Sequence, residues 1–191
     1  MISEKSVVFL LIFPLIIYNL PGSISGFKSG RMEFDIDVCG EDIFSRDYTI
    51  VIAGKSGIKG FKLSNKLIGV LRAKQARGFY RYPNSKKGKS LFRVRVYCIV
   101  IYYLFKSMNF KNTELILNIC KDFQGHEKDI TSNLRFFLEN ILDLHLSIRY
   151  VTLRDSNAHR HAYLMRKDTK NRMKGYVKIS LEEIEKYLIR K

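Results

Sequence analysis

The chain has 191 residues, with 34 Lys and Arg against 18 Asp and Glu, a formal net charge of +16 and a sequence pI near 9.8. Hydrophobic residues make up 46% of it, too many for an intrinsically disordered chain. Neither a heptad nor a Gly-X-Y repeat is present, which excludes a coiled coil or a collagen, and the length suits one domain of about 100–200 residues.

Val7 to Leu20 reads VVFLLIFPLIIYNL. This is shorter than the roughly 20 residues of a membrane span and has the length of a secretory h-region of about 7–15. Ser23-Ile24-Ser25-Gly26 supplies small residues for a cleavage site, but the preceding charge is weak because Glu4 offsets Lys5. A start at Met32 is the alternative, and 1–31 is then an over-extended reading frame. On either reading residues 1–31 stand apart, and 32–191 form a single α/β domain. The first reading gives an exported or membrane-anchored protein that touches lipid through residues 7–20. The second gives a cytoplasmic one.

Phe34 to Val38 alternates as FDIDV, a short strand with Phe34, Ile36 and Val38 on one face and Asp35 and Asp37 on the other. Tyr48 to Ala53 is a β-branched strand, Gly54-Lys-Ser-Gly57 a tight turn, and Ile58 to Leu63 the hairpin partner. Asn65 caps a helix that runs to Ala76 and is ended by Gly78. Gly78 to Lys89 reads as an exposed loop rich in Pro, Asn, Ser, Gly and Lys. Leu91 to Met108 combines β-branched strength with helical length. Leu115 to Cys120 suits a buried parallel strand. Asp129 caps an amphipathic helix that runs to Leu142, and Leu146 to Leu153 is a strand. Ser180-x-x-Glu183 is a capping box that opens a last helix through Leu188. The order predicts an α/β fold: a mixed sheet with an initial antiparallel hairpin, then β-α-β units, with helices on both faces.

The three cysteines, Cys39, Cys98 and Cys120, are odd in number, lack C-x-x-C spacing and sit among apolar neighbours. They read as buried small hydrophobes. Charge is uneven. Residues 33–47 carry Glu33, Asp35, Asp37, Glu41, Asp42 and Asp47 against Arg46, a net of −5. From Tyr48 to Thr113 there are fifteen cations and no acidic residue. Such a run repels itself unless something anionic offsets it. Phe79, Tyr80, Tyr82, Phe92 and Tyr97 interleave with it, and phosphate neutralisation with base stacking is how single strands are held. Lys55, Lys59, Lys62, Arg77, Arg81, Lys86, Lys87 and Lys89 are the candidate contacts to nucleic acid or another polyanion.

Asp37 lies on the first strand, Asp122 just past a later strand, and Asp155 past another, in Leu153-Arg-Asp155-Ser-Asn-Ala-His159-Arg-His161. Strand ends of open α/β sheets are where ligand sites form. Carboxylate oxygens there suit Mg²⁺ or Mn²⁺, and paired ions can clamp a phosphodiester during in-line attack. Asp37, Asp122 and Asp155 are therefore the candidate metal-holding and catalytic residues. His126-Glu127 reads as a loop or helix entry, and His159 and His161 as a cationic surface that would share a face at strand spacing. No small-molecule cofactor motif is present. Gly54-Lys55-Ser56 lacks the earlier glycine of a phosphate-binding loop and precedes a hairpin rather than a helix.

Strand, hairpin, helix and then strand-plus-Asp resembles the ribonuclease H-like fold over roughly Met32 to His161. Asp37-Val-Cys-Gly40 is similar to that fold's first-strand pattern, Asp122 matches its second carboxylate, and Asp155 or His159 its late acidic or His position. The resemblance implies a divalent-metal-dependent nuclease. One departure stands out: that family usually carries a Glu on the first helix, whereas Asn65 to Ala76 has no acidic residue and offers only Gln75. Glu41 or Asp42 is the candidate substitute. Without one, the alternatives are a nucleic-acid-binding protein that does not cut, or an anchored or exported protein with a basic face.

Overall fold

The computed structural model describes residues 31–189. The apolar run Val7–Leu20 and the cleavage-site reading at Ser23–Gly26 lie outside the described residues. Among the described residues, no helix is long and apolar enough to cross a membrane.

Five strands form one mixed sheet: β1 (Met32–Cys39), β2 (Thr49–Gly54), β3 (Gly57–Lys62), β4 (Glu114–Cys120) and β5 (His145–Val151). Their order across the sheet is β3-β2-β1-β4-β5. The β2–β3 hairpin is antiparallel, with Gly54 paired to Gly57, and β2 runs antiparallel to β1. β4 is parallel to β1 and to β5. The parallel pairings need crossovers, supplied by α1 (Asn65–Ala76) with α2 (Lys86–Lys106), and by α3 (Glu127–Leu134). After β5 come α4 (Asn157–Lys167) and the short α5 (Leu181–Glu185).

The alternation of β1 sorts the faces. Phe34, Ile36 and Val38 join Ile50 and Ile52 of β2 in the main core, beneath α2 and α3. Val51 faces the other way, into a small cluster with Ala162 and Met165 of α4. Asp37 pairs with Val51 in register and so shares the α4 face. Helices thus cover both faces of the sheet. On the α4 side, Gly60 of β3 leaves room for Met165, whose Sδ would clash with any Cβ there. The free edge of β3 is closed by residues 175–177: Gly60 N–H donates to Gly175 O, and Val177 N–H donates to Gly60 O, both at 2.9 Å.

The ambiguous stretch after Leu91 is helical. Every residue from Val94 to Phe105 is buried, and a helix apolar on all sides belongs in the middle of a core. Arg95 is the one cation in that run. Its guanidinium packs 4.3 Å from the Phe137 ring centroid and donates to Asn133 Oδ1, and burial pulls its pKa down.

Several boundaries differ from the sequence reading for local reasons. Ser64, not Asn65, caps α1, its Oγ accepting from Leu67 N–H at 3.2 Å. Ser85 caps α2 through Gly88 N–H, so Lys86 to Lys89 form its first turn rather than a loop. Asp129 does not cap α3: the helix starts at Glu127, and Asp129 Oδ2 instead meets His126 Nδ1 at 3.0 Å. That helix ends in a widened π turn, Arg135–Glu139, closed by Asn140 N–H to Arg135 O at 3.3 Å. His159 and His161 do not alternate on a strand. Ser156 Oγ accepts from His159 N–H and starts α4, so the two histidines point from different sides of a helix. The capping box at Ser180 and Glu183 is present in both directions.

The weight of α2 gives a direct test. Leu104→Ala, at a fully buried position, should lower the unfolding free energy by about 2–5 kcal/mol in denaturant titration. Phe79→Ala, at a residue 59% exposed, should change it by no more than about 0.5 kcal/mol.

Candidate metal centre and its cationic flank

β1 and β4 are parallel neighbours, so their C-terminal ends lie side by side. This brings Asp37 next to Cys120 and Asp122, which are more than eighty residues away in the chain. One ligand-type atom from each of the three lies within 4.8 Å of the others. Asp37 is 4% exposed. Its Oδ1 accepts from Val38 N–H at 2.8 Å, and its Oδ2 meets His159 Nδ1 at 2.8 Å. The Cys120 thiol donates to Asp122 Oδ2. Burial pushes the Asp122 carboxyl above its ordinary range and the Asp37 charge adds to this, while the Cys120 hydrogen bond and His159 oppose it. Burial, helped by Asp122, also drives the Cys120 thiol well up.

Two tyrosines back the group. Tyr48 is buried, and its phenol is raised first by burial and then by the charges of Asp122, Cys120, Asp42 and Asp37. Its ring sits against Gly40, whose φ is +146° and where a Cβ would lie 2.5 Å from Tyr48 Cδ2. Glycine at position 40 is therefore required twice, by backbone angle and by space. Tyr97, from α2, is fully buried. Its Oη is the one buried side-chain polar atom without a hydrogen-bond partner among the described residues. Cys120, Tyr48 and Asp122 are among the groups that act on it.

Asp155 does not join Asp37 and Asp122 in this group. It lies exposed in the turn before α4. Because the helix begins at Asn157, it is His159 that is carried onto Asp37. Gln75 is also elsewhere: its amide donates to Pro83 O at 3.2 Å. Neither α1 nor α2 contains a carboxylate. Glu41 and Asp42 line a cavity of about 500 Å³ together with Tyr48, Ser90, Arg93, Lys121, Asp122 and His126, and Asp42 pairs with Arg93 at 2.9 Å. On the wall of that cavity Ser90 Oγ meets His126 Nε2 at 2.6 Å, and His126 Nδ1 meets Asp129. This line ties the start of α2 to the start of α3 and orients an imidazole beside Asp122.

The expected basic contacts scatter. Lys86, Lys87 and Lys89 form the first turn of α2, at the same end of the sheet as Asp122. Lys89, Arg93 and Arg72 line a second cavity of about 330 Å³ floored by Phe44 and Phe92. Arg77 follows α1 as its C-cap, and Arg81 lies over the Tyr82 ring. Lys59 is on β3, and Lys55 is in the hairpin turn at the far end of the sheet. Lys62 is engaged internally, its Nζ donating to Asp168 O at 2.7 Å at the end of α4.

Sequence reasoning missed Cys120 as a donor, because its apolar neighbours in the strand mask its place at a strand end. It also missed Tyr97 and Ser90, which only the packing of α2 brings toward Asp122, and the pairing of His126 with Asp129 at the start of α3. Comparison of the chain with protein-family models, with curated proteins and with solved structures finds no match in any of the three.

A raised carboxyl binds its proton more tightly folded than unfolded. Its stabilising contribution is therefore complete below the unfolded value and is lost as pH rises through the folded one. At neutral pH the charged Asp122 disfavours the fold. Asp122→Asn should melt higher than the wild type at pH 7 in EDTA, and the gap should shrink as pH falls toward 4, followed by thermal denaturation.

Proposed function

We propose that the chain is a divalent-metal-dependent phosphodiesterase acting on nucleic acid, with Asp37 and Asp122 holding the metal. One observation carries this: two carboxylates, one on β1 and one just past β4, converge at the C-terminal ends of these parallel strands, beside a cavity bordered by Arg93 and Lys121. Strand ends of this kind are where open α/β sheets bind ligands. The arrangement also agrees with what the resemblance to the ribonuclease H-like fold implies. Asp37 is on the first strand, Asp122 lies past the parallel strand that follows the helices, and His159 occupies the late position. The fold-family assignment is part of this proposal.

The donor set fits a divalent ion. Asp37 and Asp122 offer carboxylate oxygens, and two carboxylates alone call for Mg²⁺ or Mn²⁺. Behind the end of β4, Tyr97 Oη is a buried polar atom without a partner among the described residues. An ion bound by Asp37 and Asp122 would polarise a phosphate oxygen and acidify water. The chain's own residues do the rest. His159 holds the Asp37 carboxylate in place from α4. Arg93 and Lys121 take the phosphate charge, and Ser90 and His126, hydrogen-bonded to each other, wall the cavity beside them. Lys86, Lys87 and Lys89 extend the cationic path beyond the cavity.

The test uses a labelled single-stranded oligonucleotide with the full-length protein in Mn²⁺ or Mg²⁺. Cleavage should vanish in EDTA and fall by about two to three orders of magnitude in Asp37→Asn, the loss expected when a cation's several kcal/mol of transition-state stabilisation goes. The absence of a carboxylate on α1 and α2 favours a second reading, in which the protein binds nucleic acid without cutting it. Under that reading, binding is indifferent to EDTA and no product forms at any metal concentration. Under both, replacing Lys86, Lys87 and Lys89 by Ala should flatten the plot of log affinity against log salt by about 0.7–0.9 for each phosphate that the variant no longer neutralises.

A further inference from the structure

The third member of the group is a thiol. Cys120 ends β4, 8% exposed, with its sulfur against the Asp122 carboxyl. All three donor atoms lie within a span of 4.8 Å, close enough to share one ion. Asp37 is oriented by two partners of its own, the Val38 amide and the His159 imidazole. Such outer contacts orient and tune metal ligands. Behind the end of β4, the fully buried Tyr97 Oη has no hydrogen-bond partner among the described residues, and its ring packs 4.8 Å from that of Phe123, three residues past Cys120.

We propose that Cys120 is a third metal ligand and that the site takes a thiophilic divalent ion of the zinc class in preference to Mg²⁺. This rests on the phosphodiesterase reading only for the place of the metal. The chemistry is that of donor softness. Oxygen-only sites suit Mg²⁺, which is hard and keeps its waters, whereas thiolate selects softer ions such as Zn²⁺. A thiolate with two carboxylates leaves room in a tetrahedral shell for water or a phosphate oxygen, as an open zinc site requires. The thiol gives up its proton to solvent as the ion binds, so no further reactant is needed.

Co²⁺ reports the ligand directly, because a thiolate bound to it absorbs strongly in the near ultraviolet through charge transfer. The full-length protein titrated with Co²⁺ should show this band, and Zn²⁺ should displace it. Cys120→Ser should lose the band and about tenfold to a hundredfold in Zn²⁺ affinity, while Mn²⁺ affinity changes by about threefold or less. Cys39→Ser, which removes the other cysteine near this end of β1, should keep the band. A wild-type protein that binds Mn²⁺ but gives no band with Co²⁺ overturns the thiolate ligand and leaves the phosphodiesterase reading standing. A band that survives in Cys120→Ser, or is lost in Cys39→Ser, overturns it too. No binding of any divalent ion removes both. Because the band is read first in the wild type, a misfolded variant cannot hide the answer.

Discussion

Helix α2 has no face it can give to water. From Val94 to Phe105 every side chain is buried, so the sheet must lie on one side of it while α3 and the C-terminal segment cover the rest. Once α2 is enclosed, much else follows. Its first turn projects past the core at the end of the sheet where β1 and β4 finish, bringing Ser90 and Arg93 into the cavity beside Asp122. Farther along, Tyr97 is pressed against Phe123, their ring centroids 4.8 Å apart, just beyond the end of β4. The placement of the chemical groups is thus set by an apolar requirement.

The site itself works against the fold. Two carboxylates and a thiol share a small, partly desolvated space: burial and then the Asp37 charge work against ionisation of Asp122, and burial and then Asp122 against ionisation of Cys120. Compensation is local: the Val38 amide and His159 for Asp37, the thiol for Asp122. Groups that repel one another in this way are poised to be drawn together by a positive charge, a tension typical of sites where pKa values depart from the ordinary.

Where the chain speaks locally, its sequence is legible. The alternation of Phe34 to Val38, the Gly54–Gly57 turn, the apolar run before Asp122 and the Ser180 box all specify their elements within a few residues. The failures have one cause, which is that their outcome depends on distant packing. The β-branched residues after Leu91 are as consistent with a strand as with a helix until the sheet encloses them. His159 reads as a surface residue because the Ser156 cap that opens α4 competes with a continued strand, and only the helix carries position 159 onto Asp37. Asp155, two residues ahead of the helix, has the same strand-end credentials in the sequence and ends up in solvent. Cys120 has every mark of a core residue, and the parallel register with β1 is what makes it a donor. Of the candidate site, Asp37 and Asp122 are legible because strand ends are a general address. Their companions are not, because nothing in their neighbourhood announces them.

The position of the Lys62 amine on the last carbonyl oxygens of α4 has an electrochemical consequence. A cation engaged with a helix end condenses few mobile anions. The same holds for Lys74 on Glu185. The small anions that the chain gathers are those of its uncommitted cationic groups, the exposed Lys55, Lys66, Lys86 and Lys87 among them. The effective charge that the chain shows to small ions is therefore smaller than its formal charge of +16.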